Sequence, residues 1–328
     1  MRAHEELVMR LALKRREKLG GLSDEGFAEL LSAVSKNYES FIDDNEEEAF
    51  HKVERGLKRL NLDEILDGSL DTAHYEVARV RKMATLENDM RQAVALDPLC
   101  ADARNLLIMS ELRSPDLLLK AFLDLEKELE EKTGPIQKGE TGDAWDDVFQ
   151  HPRLRLANSI ARYMLESGRY RLTVKRCYDL MELNPSDALG ARYTCALALA
   201  RLEDEEGFNA LDALDMRKGN AWIHLGRAIL MYKLGRVPAA RRALNGFNSL
   251  CPGGTYALLQ PHYLELYFPD RPEFEAGSFW ESFYAIHEAG AILDDIPDFA
   301  RWAAKQKGIE ESARTFCRRN GFDWIDWE

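Results

Sequence analysis

No stretch of this 328-residue chain approaches the roughly 20 uninterrupted apolar residues that a membrane-spanning helix needs. A signal-peptide core is missing too: Leu7-Val8-Met9 is cut by Arg10, and Lys14-Arg15-Arg16 follows. Cysteine is scarce. The five thiols, Cys100, Cys177, Cys195, Cys251 and Cys317, are odd in number and widely spaced, with no CxxC pair. That pattern excludes a disulfide framework and a zinc knuckle, and the expected compartment is a reducing cytoplasm. Glycine, at 21 residues, is too sparse for a dinucleotide fingerprint, and neither GxxxxGK(S/T) nor GxSxG occurs. Positive charge is in deficit: 44 Lys and Arg stand against 57 Asp and Glu, a net charge of −13. Sequence-blind binding of nucleic acid needs a basic surface, so neither nucleic acid nor a membrane is an expected partner.

What the chain does have is helical periodicity. Leu7 and Leu11 lie among charges, and Gly20-Gly21 stops that first helix. Ser23 is placed as the N-cap of the next, with Asp24 and Glu25 suited to the positive end of its dipole. Phe27, Leu30, Leu31 and Val34 then recur at helical spacing, and a third helix opens in the acidic residues 43–48. Alternating β-branched runs are missing. The expected fold class is all-α.

A repeated ending sharpens this. Residues 93–98 close on Leu96-Asp97-Pro98 and residues 180–185 on Leu183-Asn184-Pro185; a third ending, Leu250-Cys251-Pro252, follows 67 residues later. Gly168 precedes Pro185 by 17 residues, and Gly235 precedes Pro252 by 17. Glycine permits the tight turn between antiparallel helices, and proline ends the second. A spacing of 67 is close to two periods of about 34, the tetratricopeptide length. Residues 154–187 resemble such a repeat, with Ala157, Ile160, Ala161 and Met164 in its first helix and Thr173, Cys177 and Leu180 in its second. Residues 188–220 and 221–254 resemble further copies, although the middle one lacks the turn glycine; 67–98 and 101–131 fit more loosely. Residues 152 to about 304 also resemble bacterial tetratricopeptide relatives of the suppression-of-tumorigenicity family. That likeness rests on His151-Pro-Arg-Leu-Arg-Leu-Ala157, Gly168-Arg-Tyr170, Gly190-Ala-Arg-Tyr193, Trp222 and Phe299-Ala-Arg-Trp302. The resemblance implies a helix-hairpin repeat α-solenoid, with an N-terminal helical region and a non-repeat C-terminal cap.

Chemistry is harder to find. The seven histidines never take a metal-ligand spacing, and His287-Glu288 reads as a helix-surface contact. Asp146-Asp147 and Asp294-Asp295 point about 100° apart on a helix and read as caps or solvated surface. No catalytic residue, cofactor or metal is expected, and the chain is read as a non-enzyme.

A binding face is expected instead. With Ala101, Leu154, Ala188 and Ala221 at repeat position 1, the concave positions fall on Asn105, Met109, Asn158, Arg162, Arg192, Leu225 and Ile229, with Arg155 and Trp222 at position 2. Arginine and asparagine can hold a peptide carboxylate or main chain, while the apolar end accepts a side chain. The alternative, which carries more weight, is that these residues pair with Glu or Asp on neighbouring helices or are covered by the N-terminal region. The leading expectation is a scaffold receiving a protein or peptide on this face. A second is a self-associating structural protein whose groove is filled by its own N-terminal helices or another copy, which leaves homo-oligomers open. A third is a small-ligand regulator or enzyme using a cleft between two halves.

The Gly- and Pro-bearing residues 133–142 mark either a linker or an insertion on one continuous solenoid; the favoured reading is an N-terminal helical domain at 1–140 and a repeat domain at 141–328. Pro261, Pro269 and Pro272, with Tyr263, Tyr267 and Phe268, read as a packed non-repeat connection. The aromatic-acidic tail from Phe322 to Trp327 has two readings, a cap on the last helix, which is favoured, or a short motif for a partner.

Overall fold

The computed structural model describes residues 3–67, 72–111, 113–214, 216–260 and 270–326. Every regular element among them is a helix, and none is long and apolar enough to cross a membrane. The chain divides into two compact units. The first holds residues up to 160 together with 183–186 and 270; the second holds 161–182, 187–260 and 271–326. The expected break at 140 lies inside the first unit, and the division falls within one helix, after Ile160.

In the first unit the helices are α1 (Ala3–Lys18), α2 (Asp24–Lys36), α3 (Asn45–Asp67), α4 (Thr72–Leu96), α5 (Ala101–Ser110), α6 (Pro115–Thr133) and the opening of α7 (His151–Glu166). Gly20 and Gly21 take φ of +78° and +97° and end α1, and the Ser23 hydroxyl accepts from the Gly26 N–H at 3.2 Å, so both sequence signals hold. Leu7, Leu11 and Ala12 of α1 pack on Val34 and Phe50, while Val53, Leu86, Met90, Ala93 and Leu106 join α3, α4 and α5. Gln260 is the last described residue before the proline- and aromatic-bearing stretch at 261–269, so Pro261, Tyr263, Tyr267, Phe268 and Pro269 lie outside the described residues, as does Trp327.

The second unit continues with α8 (Tyr170–Leu183), α9 (Ala191–Leu202), α10 (Glu205–Leu214), α11 (Ala221–Lys233), α12 (Val237–Leu250), α13 (Gly254–Leu259), α14 (Phe279–Glu288), α15 (Gly290–Asp294), α16 (Asp298–Ala304) and α17 (Ile309–Asn320). Helix α11 packs against α12, its neighbour in sequence, and against α9. Gly168 and Gly235 make the turns before α8 and α12 with φ of +75° and +68°. In the middle hairpin Glu203 adopts φ of +61° between α9 and α10, so the chain turns there without glycine. A side chain in the left-handed region costs about 1–2 kcal/mol, and the Lys233 ammonium at 3.1 Å from the Glu203 carboxylate offsets part of it. Gly253 has no such freedom: φ is +67°, and a Cβ there would meet Phe279 and Phe316 at 2.5 Å.

Candidate functional site

Four of the nine expected groove residues belong to the first unit, and all four are buried. Arg155 reaches from α7 to two carboxylates. Its guanidinium donates to Glu6 of α1 at 2.8 and 2.9 Å, and to Asp102 of α5 at 2.8 Å from Nε and again from Nη2. His151, one turn earlier on α7, sets Nδ1 at 3.2 Å from the same Glu6 and Nε2 at 2.8 Å from the Trp145 carbonyl. Burial pushes the Glu6 carboxyl up, but the charge and hydrogen bonds of Arg155, with those of His151, bring it down to about 2. Asp270 has one oxygen 3.9 Å from Arg155; desolvation, reinforced by Asp102 and Glu6, pushes it up to about 6 against the pull of the guanidinium.

Every edge of the Arg155 fork therefore faces an acid of its own chain, and no edge is left for an incoming carboxylate. Asn158 and Ser159 sit one turn beyond Arg155, and Asn105 one turn beyond Asp102. Both side-chain ends of Asn105, the carbonyl oxygen of Asn158 and the Ser159 hydroxyl are buried without a partner among the described residues. Met109 is buried on the same helix as Asn105.

The other five belong to the second unit. Arg162 and Arg192 are half-buried, and Arg192 donates to Asp187 at 2.6 Å. Trp222, Leu225 and Ile229 of α11 are fully buried. The Trp222 ring stacks on Tyr193 with centroids 4.2 Å apart, and its indole N–H donates to Glu288 of α14 at 2.9 Å. Arg271 lies over both rings, 5.1 Å from the Tyr193 centroid and 5.6 Å from that of Trp222. It also donates to the two Glu288 oxygens at 2.6 and 2.9 Å. Two turns back on α14, Glu281 accepts from the Ala221 N–H at 2.8 Å and so caps α11.

Sequence reasoning missed Arg271, Glu281 and Glu288, and the reading of His287-Glu288 as a surface pair is corrected: Glu288 is buried. The available signal was the seven-residue spacing of Glu281 and Glu288, two turns on one helix face. Arg162, Glu166, Thr194, His287 and Glu288 border a crevice of about 20 Å³, room for a single water. Burial lowers the His287 imidazole, and desolvation raises the Glu166 carboxyl.

Asp44, Glu46 and Glu47 bring carboxylate oxygens within 4.8 Å of one another in the first unit. The Lys14 ammonium already stands there, 3.1 Å from Asp44 and 2.8 Å from both Glu46 and Glu47, and Arg10 donates to Glu46 and Glu47 as well. The protein's own cations balance this cluster. The five cysteines are free and buried, and burial pushes Cys100 up to about 12, away from thiolate chemistry. Comparison of the chain with protein-family models, with curated proteins and with solved structures finds no match.

Proposed function

We propose that this chain is a non-enzymatic, tetratricopeptide-like helix-hairpin scaffold that works by protein contact, with its helix-A positions held by its own acidic side chains. One observation carries the reading. In each unit one residue expected to hold a peptide is already bound by acids of the chain itself, Arg155 by Glu6 and Asp102 and the Trp222 indole by Glu288. The hairpin character draws support from the packing of α11 on α12 and α9, and from positive φ at Gly168, Glu203 and Gly235 between successive helices. Five free, buried thiols fit a reducing cytoplasm. Partners then meet the outer surface, where Leu172, Leu214 and Leu250 are exposed.

Site-specific photocrosslinking in the native cell tests this. Probes at Leu172, Leu214 and Leu250 are expected to yield protein adducts that persist in an Arg162→Glu, Arg192→Glu variant. Adducts lost on those two changes would return the function to the helix-A face, and no adduct at any position would remove the scaffold reading.

A further inference from the structure

Within the second unit a groove of about 450 Å³ runs along one face of α17, bordered by Asn248 of α12 and by the turn Pro252-Gly253. Glu311, Ser312, Thr315, Phe316 and Arg319 line it from α17, so it follows the helix from Glu311 to Arg319, a rise of about 12 Å. Its groups are unusually free. Asn248 accepts from the Thr255 hydroxyl at 2.8 Å through its carbonyl oxygen, which leaves the amide NH₂ for a ligand. Neither the Ser312 hydroxyl nor the Arg319 guanidinium has a partner among the described residues.

Charge around the groove runs against that of the chain. Arg319 lies in it, and Arg318 is bound to the lining Thr315 at 3.3 Å. Beyond the other end Arg241 donates to Gln306 at 3.0 Å, between Lys305 and Lys307, two residues before the lining Gly308. All five cations are exposed, and none forms an ion pair among the described residues; the one lining carboxylate is Glu311. A protein of net charge −13 has acids to spare for neutralising them, yet these are left open.

We propose that this groove docks an extended, acidic segment of a partner protein. An extended chain rises about 3.3 Å per residue, so about four residues span the groove. Their side-chain carboxylates pair with Arg319 and with Lys305 and Lys307, while Asn248 and Ser312 donate to main-chain carbonyls. The groove's short length and the chain's overall negative charge favour a short peptide over a nucleic acid or a membrane, both of which the net charge repels. The inference rests on the scaffold reading and supplies it with a docking face.

Fluorescence anisotropy of a fluorescein-labelled, alternating Asp-Glu octapeptide against the full chain tests it. Saturable binding is expected, weakened at least about tenfold by Lys307→Glu with Arg319→Glu and unchanged by Arg301→Glu, a surface cation already paired with Asp298 at 3.0 Å. Circular dichroism confirms that each variant is folded. No saturable binding, equal binding by the groove variant, or loss of binding in the Arg162→Glu, Arg192→Glu variant would overturn the proposal. So would tighter binding to phosphatidylserine vesicles or to a DNA oligonucleotide at the same salt. Crosslinked adducts that persist while the peptide fails to bind would leave the scaffold reading standing without this groove.

Discussion

Glu6 and Arg155 stand 149 residues apart in sequence and share two hydrogen bonds, at 2.8 and 2.9 Å, in the buried centre of the first unit. The pair ties the first helix of the chain to α7. Of the two expectations for Arg155, a contact in a groove or a pairing with acids on neighbouring helices, the structure holds the second.

The pH dependence of stability follows from that pair. The Glu6 carboxyl is lowered from an ordinary 4.5 to about 2, so its contribution is fully present above pH 4.5 and is lost as pH falls toward 2. A shift of this size corresponds to about 3 kcal/mol. Glu6→Gln is expected to cost about that much in urea unfolding at pH 7, with the gap to the unmodified chain closing near pH 2. A gap that stays constant with pH would show that packing, rather than charge, sets the cost.

Asp270 works in the opposite sense. Its carboxyl is raised from 3.8 to about 6, so the favourable protonated state is present below pH 3.8 and lost as pH rises through 6. Asp270→Asn is therefore expected to stabilise the chain at pH 7.5 and to have no stabilising effect near pH 4. Because 37% of the side chain remains exposed, the gain is limited to about 1 kcal/mol. Equal unfolding midpoints at pH 7.5 would contradict the assignment.

In the second unit Trp222→Phe keeps an aromatic ring against Tyr193 but deletes the N–H that meets Glu288 at 2.9 Å. A hydrogen bond to a buried charge contributes about 2 kcal/mol, and Arg271 continues to hold the carboxylate. Thermal unfolding is expected about 6 °C lower, from about 3 °C per kcal/mol for a unit of this size. A change below about 1 °C would mean that stacking alone anchors Trp222.

Much of the helical framework is written in local chemistry. The Ser23 cap, the Gly20-Gly21 stop and the Gly168 and Gly235 turns need only neighbouring residues, and each is where the sequence placed it. The middle turn was illegible because Glu203 enters the left-handed region that glycine usually marks. The site was legible only in residue type. Nothing local distinguishes an arginine aimed at solvent from Arg155, whose partners Glu6 and Asp102 lie 149 and 53 residues away. The same holds for Glu288, whose partner Trp222 lies 66 residues back. Helix periodicity fixes which face a residue occupies, and distant chain decides what covers that face.

The tail offers the last test. Phe322 packs on Tyr256 and Phe279 with ring centroids 5.4 and 5.5 Å away, and the Ile325 N–H donates to Gln260 at 2.7 Å. Arg314 of α17 donates to Asp326 at 2.6 Å and lies 4.3 Å from the Trp324 ring centroid. These contacts hold the tail over the aromatic cluster of α13, α14 and α17, as a cap would. Phe322 is still 40% exposed, so only part of its apolar surface contributes, and the salt link is solvated. A chain ending at Gly321 is expected to lose about 3 kcal/mol, lowering thermal unfolding by roughly 9 °C, and to bind more of a hydrophobic dye as Tyr256 and Phe279 become uncovered. If melting and dye binding match the full chain while partner adducts disappear, the tail is a recognition segment and the cap assignment fails.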